Sequence, residues 1–203
     1  FGQARDDYTK AIQLAPARVS TYLARGGVLL RLEAWDKALG DYNRAMELNP
    51  TDQSAWMGRG FAFCGLQDFD RAIADFTQAI LLDPTQEKPY YGRGLVLHRA
   101  GQYGLALADL NQALAIDPDF LLALMERGSL LEDTQQYSQA VDDYSRALRI
   151  DRGYAPGYLG RGYAHLTLGH QEQALADMSQ ALELSSNSAF KSNVRRAIRE
   201  AQE

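Results

Sequence analysis

Apolar residues along the chain fall into stretches of about a dozen positions spaced at three and four, divided by short polar turns, which predicts a succession of amphipathic helices. The order of side-chain sizes then repeats. Tyr22, Gly26, Leu29, Ala38, Tyr42 and Ala45 give large, small, large, small, large, small, and Trp56, Gly60, Phe63, Ala72, Phe76 and Ala79 give it again 34 residues on. Aligned on Pro16, Pro50, Pro84 and Pro118, full units run 19–52, 53–86, 87–120, 121–154 and 155–188. A second helix of a truncated unit precedes them at 1–16, and 189–203 follows as a C-terminal capping helix. Each unit predicts helices over roughly positions 2–14 and 18–31, hence eleven or twelve helices and no sheet.

Three columns have no exceptions. Position 8 is Gly26, Gly60, Gly94, Gly128 and Gly162; position 20 is Ala4, Ala38, Ala72, Ala106, Ala140 and Ala174; position 27 is Ala11, Ala45, Ala79, Ala113, Ala147 and Ala181. A helix-interior glycine costs about 1 kcal/mol against alanine, so five in register need a packing reason. Small residues here let two antiparallel helices approach to the short end of the usual ~8–10 Å spacing. Large residues at positions 4, 11 and 24 fill the flanking space. Proline at position 32 ends the second helix.

These columns, over essentially the whole chain, resemble the tetratricopeptide repeat. The resemblance implies an all-α fold: a right-handed α-solenoid of stacked antiparallel hairpins, with first helices lining a concave groove and second helices outside. A lone hairpin leaves one apolar face bare, so stacking builds the core.

Two columns depart from the commonest pattern of that family, in which position 7 is often leucine and position 23 often aromatic. Here position 7 is Arg25, Arg59, Arg93, Arg127 and Arg161, and position 23 is Asp7, Asp41, Asp75, Asp109, Asp143 and Asp177. One turn past the core residue at position 4, such an arginine is half-buried and needs a planar anionic partner, which predicts a ladder of structural ion pairs. Pairing each aspartate with the arginine 18 residues later, Asp7 with Arg25 and so on, also gives Asp177 a partner in Arg195, so pairing across units is expected. The functional alternative is an arginine row facing an acidic ligand.

Groove-facing positions in the resembling family are mainly 2, 5, 9 and 12. Position 5 supplies Leu23, Met57, Tyr91, Met125 and Leu159; position 9 adds Phe61, Leu95 and Tyr163; position 12 adds His98. A row of Leu, Met and Tyr marks a candidate surface for an apolar segment of another protein. The bland reading is that some of these residues pack on neighbouring helices. The carboxylate clamp that binds chaperone C-terminal tails needs asparagines at groove positions 6 and 9. Position 6 is Ala24, Gly58, Gly92, Glu126 and Gly160, and position 9 has no asparagine, so a chaperone tail is disfavoured.

Chemistry adds little. Cys64, His98 and Glu132 share position 12 of consecutive units, yet successive helices stand roughly 10 Å apart, whereas catalytic hydrogen bonds need about 3 Å. No catalytic residue, metal ligand or cofactor site is expected. His165, at a core position, reads as a buried or hydrogen-bonded histidine rather than a ligand, and His170 falls in a turn. The net charge of −5 is well mixed, so nucleic acid is not an expected partner. Lys191, Arg195, Arg196 and Arg199 surround an amphipathic helix from Ala189 to Gln202; a solvated cap is expected there ahead of a nucleic-acid or lipid contact. No apolar run approaches the roughly 20 residues of a membrane span. One cysteine suits a reducing compartment such as the cytoplasm without requiring it. The chain starts at Phe1 and at position 17 of a unit, so it reads as a fragment or processed product, with Phe1 and Tyr8 expected on an open face. The function expected is a protein-binding scaffold; the alternatives are a non-catalytic partner-presenting domain of a larger enzyme and a self-associating structural module.

Overall fold

The computed structural model describes residues 1–201. Gln202 and Glu203, the end of the expected capping segment, lie outside the described residues. Those described form twelve α-helices and no strand. They are α1 (Gly2–Leu14), α2 (Val19–Arg31), α3 (Trp35–Leu48), α4 (Gln53–Gly65), α5 (Phe69–Leu82), α6 (Glu87–Arg99), α7 (Tyr103–Ile116), α8 (Leu121–Asp133), α9 (Tyr137–Ile150), α10 (Ala155–Thr167), α11 (Gln171–Leu184) and α12 (Ser188–Glu200). Each helix of a full unit starts about one residue earlier than the periodicity predicts.

The chain divides into two compact units, Phe1–Asp109 and the residues from Leu110 onward. In the first, α2 packs on α3 and α4 on α5, and each hairpin stacks on the next through α3 on α4 and α5 on α6. The first helices α2, α4 and α6 also touch in succession. The second unit repeats the plan with α8 on α9, α10 on α11, α9 on α10, and α12 closing on α11. Both units have the stacked-hairpin, α-solenoid arrangement.

The alanine columns explain the close stacking. Ala38, Ala45, Ala72, Ala79, Ala140, Ala147, Ala174 and Ala181 are all completely buried. Aromatic or large residues at position 24 (Tyr42, Phe76, Tyr144, Met178) fill the cores beside them. At the far end Val194 and Ala197 are buried against Met178 and Ala181, with Phe190 and Ile198 packed around them, while Arg195, Arg196 and Arg199 stay in solvent.

The turns inside the five hairpins share one backbone solution. The N–H of position 16 donates to the carbonyl of position 11: Ala34 to Leu29 (2.9 Å), Asp68 to Phe63 (2.9 Å), Gln102 to Leu97 (2.8 Å), Gln136 to Leu131 (2.7 Å) and His170 to His165 (2.9 Å). Between them position 15 turns left-handed, at Glu33 (φ 55°), Gln67 (61°), Gly101 (73°), Gln135 (61°) and Gly169 (78°). This is the Schellman ending of a helix, which satisfies its last carbonyls; the three side-chain-bearing residues in it carry a strain of about 1 kcal/mol each.

Between units, position 4 anchors the preceding proline turn. Tyr22 Oη donates to the Pro16 carbonyl (3.0 Å), Trp56 Nε1 to Pro50 (2.9 Å) and Tyr90 Oη to Pro84 (3.3 Å). Leu124 has no donor, and Arg146 Nη2 serves the Pro118 carbonyl instead (2.8 Å).

Candidate functional site

Arginine at position 7 projects from each first helix toward the second helices and meets an aspartate in a two-bonded fork. Arg59 donates through Nε to Asp75 Oδ2 (2.7 Å) and through Nη2 to Asp75 Oδ1 (2.8 Å). The same fork joins Arg25 to Asp41, Arg93 to Asp109, Arg127 to Asp143 and Arg161 to Asp177. The ladder therefore pairs position 7 with position 23 of its own hairpin. The expected cross-unit pairing is corrected: Asp7 is exposed while Arg25 binds Asp41, and Arg195 is exposed while Asp177 binds Arg161. The physical reason is the closeness of the two helices inside a hairpin, where small residues at positions 8, 20 and 27 bring the fork within reach of its own aspartate.

The third donor does cross units. Arg25 Nη1 reaches Thr9 Oγ1 (3.1 Å), Arg59 reaches Asn43 Oδ1 (2.8 Å), Arg93 reaches Thr77 Oγ1 (3.0 Å), Arg127 reaches Asn111 Oδ1 (2.6 Å) and Arg161 reaches Ser145 Oγ (3.1 Å). All of these acceptors stand at position 25 of the preceding unit. The column could have been found in the sequence, because every one of its members carries a side-chain oxygen. Hydrogen bonds to the aspartates push the guanidinium pKa of Arg25, Arg93 and Arg161 up, against the opposing cost of burial. Among the described residues no buried side-chain nitrogen or oxygen lacks a partner. With Nε, Nη1 and Nη2 all engaged, the arginines hold the hairpins and have little left for an acidic ligand.

Position 6 also has a structural cause. A Cβ on Gly58 would fall inside the Tyr42 ring, one on Gly92 inside the Phe76 ring, and one on Gly160 within 2.8 Å of the Tyr144 ring. Each ring is at position 24 of the preceding unit and also covers the glycine at position 8 of its own. An aromatic ring spanning two hairpins thus requires glycine on both sides.

The expected groove residues are half-buried, not a bare row. In the first unit Met57 and Phe61 pack on the Phe63–Phe76–Val96 cluster, Leu23 packs on the cores around Tyr22 and Tyr42, and Tyr91, Leu95 and His98 are half-exposed. Phe61 also meets Phe76 edge-on at 4.9 Å. In the second unit Met125 packs on the Tyr144 cluster and Leu159 on the Met178 cluster, and Tyr163 is 39% exposed. One side of each of these side chains is in the core and the other meets solvent.

The three position-12 residues each have local partners. Cys64 is buried and accepts a 3.4 Å contact from Arg99 Nη1, and His98 stacks edge-on against Tyr103. Glu132 accepts from Tyr144 Oη at 2.6 Å. Burial raises the Glu132 pKa, partly offset by that hydrogen bond, and burial together with Glu132 lifts the Tyr144 phenol far above its ordinary range. His165 and His170, read separately from the sequence, come together, with Nδ1 atoms 3.4 Å apart. Burial is the main cause that lowers the His165 pKa, with Asp177 raising it and Arg161 and His170 lowering it further.

Open hollows lie elsewhere in the first unit, two of them between successive second helices and one between a first helix and its own second helix. One of about 570 Å³ is lined by Arg5, Tyr22, Arg25, Lys37, Gly40 and Arg44 among others. Equivalent ones stand over Arg59, with Trp56, Phe63 and Arg71 (about 570 Å³), and over Arg93, with Leu97 and Leu105 (about 420 Å³). Their floors are positions 4, 7 and 11, on the other side of the first helix from positions 5, 9 and 12. No described helix is long and apolar enough to cross a membrane.

Three tetratricopeptide repeat profiles match the chain: one over residues 1–53 and 125–189, a second over 53–86 and a third over 88–120. No individually curated protein has a matching sequence. Among solved structures, a chain of the APC/C hetero-tetramer Cut9–Hcn1 superposes over 96% of this chain and 38% of its own length, with TM-score 0.84 and 24% identity. Yeast Tom70 superposes over 98% of this chain and 42% of its own, with TM-score 0.83 and 17% identity. YrrB, described as a TPR protein with an unusual peptide-binding site, matches over 95% of this chain and all of its own, with TM-score 0.63 and 21% identity. The chain thus spans well under half of the Cut9–Hcn1 and Tom70 chains that it resembles.

Proposed function

Because the chain belongs to the tetratricopeptide repeat family, whose fold typically serves as a scaffold for protein–protein interaction, we propose that it binds an apolar peptide or protein segment on the face of its first helices. The observation carrying this reading is the position-5 row. Leu23, Met57, Tyr91, Met125 and Leu159 recur at one register, each with part of its surface in the core and part in water. Half-anchored side chains of this kind lose little freedom when a ligand covers them. Met57 and Met125 adapt to irregular shapes, and Tyr91 adds a polar handle. YrrB, with its peptide-binding site, is a precedent for the same fold. The glycines at position 6 supply no clamp for a carboxylate tail, so side chains rather than a terminus are what is read. The proposed role is non-catalytic, and nucleic acid is not a proposed partner.

These hollows beside the second helices support a second reading, in which a partner lies over Lys37, Arg44, Arg71 and Leu105. Peptides selected by display on the intact chain separate the two. Alanine at Met57, Tyr91 and Met125 together should abolish binding of the selected peptides, with the circular dichroism spectrum preserved. Binding that survives there but fails in Lys37→Glu with Arg71→Glu moves the partner to the second-helix side.

A further inference from the structure

Two of the chain's three histidines form a pair that the repeat pattern does not call for. In the other four units position 11 is Leu29, Phe63, Leu97 or Leu131, all buried, and position 16 is Ala34, Asp68, Gln102 or Gln136. In the unit 155–188 both positions become histidine together, at His165 and His170. Giving up a buried apolar side chain at position 11 costs stability, so a paired change to two imidazoles points to a gain elsewhere.

The backbone fixes where the two rings go. The Schellman turn ties the His170 N–H to the His165 carbonyl at 2.9 Å, with Gly169 at φ 78° between them. In this motif the two residues so joined are the ones whose side chains meet. The Nδ1 atoms are 3.4 Å apart, and the rings are inclined at 49°. That separation is long for an N–H···N hydrogen bond, which prefers about 2.9–3.0 Å. It matches two nitrogens sharing one tetrahedral ion, which at about 2.1 Å from the metal lie about 3.4 Å apart.

We propose that His165 and His170 are the protein's two ligands for a divalent ion of the zinc class, bound at the turn between α10 and α11. Imidazole suits zinc, copper and nickel and discriminates against magnesium and calcium, which take oxygen. Among the described residues no cluster of three or more potential ligands exists. Water, or a donor from a bound partner, therefore completes the coordination sphere, and the site is an open one. Because the turn is already closed by backbone bonds, the ion meets a preformed pair and adds a clamp between α10 and α11.

Isothermal titration of the full, untagged chain with zinc chloride tests this, with magnesium chloride as the comparison. The expected result is one zinc per chain, a zinc-dependent rise in melting temperature, and no response to magnesium. Replacing cobalt for zinc should give the visible absorption of a tetrahedral ion. His165→Leu restores the residue that three other units carry at this position, so it should fold at least as well as the parent. It should also lose zinc affinity by at least the roughly 10–100-fold that disturbing a ligand's outer shell usually costs. His170→Ala should do the same, and His98→Ala should leave zinc binding unchanged. The absence of any zinc response, or zinc binding that persists in either the His165→Leu or the His170→Ala variant, would overturn the proposal.

Discussion

Removing Arg59 should strand Asp75, and the size of the loss follows from the geometry. Asp75 is only 4% exposed and takes two charged hydrogen bonds from Arg59, at 2.7 and 2.8 Å. Breaking a buried pair from one side costs about 3–5 kcal/mol, because the remaining charge has no counterpart. The Arg59 side chain is 22% exposed, so water reaches the edge of the site and Arg59→Leu should cost about 2–4 kcal/mol. Asp75→Leu, nearly isosteric, leaves the guanidinium with Asn43 and solvent and should cost less. In the double variant no buried charge remains, and two apolar side chains face each other where the family commonly has apolar residues. The double variant should therefore be more stable than the sum of the single losses implies, by about 1.5–3 kcal/mol of coupling. Urea melts followed by circular dichroism at 222 nm provide all four corners of the cycle. A stack of hairpins can melt in stages, so the comparison requires coincident transitions by ellipticity and by tryptophan fluorescence. Additive losses would refute the ladder as an energetic unit. An Arg93→Leu variant whose loss is rescued by Asp75→Leu, rather than by Asp109→Leu, would refute the pairing within hairpins.

Other consequences can be checked with the same melts. Gly92→Ala forces a methyl into the Phe76 ring and should destabilise by about 1–3 kcal/mol, while Gly40→Ala, a helix position with nothing within 4 Å of the new Cβ, should stabilise by up to about 1 kcal/mol. Glu132 has a raised pKa in the folded state, so the fold binds a proton more tightly than the unfolded chain does; its contribution therefore falls as pH rises from the ordinary carboxylate range through the raised value. Glu132→Gln keeps an acceptor for Tyr144 and removes that dependence, so its stability relative to the parent should improve between pH 4 and pH 7, and an opposite trend would contradict the assignment. Asn43→Ala removes only the third, exposed hydrogen bond of Arg59 and should cost no more than about 1 kcal/mol.

The parts legible in the sequence are those that recur in every unit. A 34-residue period in glycine and alanine specifies the hairpin and its stacking, because small residues are demanded wherever helices touch. The arginine and aspartate columns announced an ion pair, but spacing alone could not choose between neighbours: Arg59 touches both units, holding Asp75 in its own and Asn43 in the one before. The tolerant position-25 column, a mixture of Thr, Asn and Ser, hid a shared function behind different names. Position 6 read as an absent clamp when its glycines answer to the aromatic ring of the preceding hairpin. The His165–His170 pair was missed because residues five apart are not neighbours on a helix; the left-handed turn at Gly169 makes them so.

Methionine-methyl NMR offers the most direct test of the proposed binding face. Of the chain's four methionines, Met57 and Met125 stand on the first-helix face, whereas Met178 is completely buried and Met46 packs on the Tyr22 core. Labelled at the methyl carbon, the protein is titrated with a peptide selected by display on it. The account predicts that the Met57 or Met125 signal, or both, shifts in proportion to occupancy while Met178 and Met46 stay in place. A saturating peptide that leaves Met57 and Met125 unmoved would contradict it.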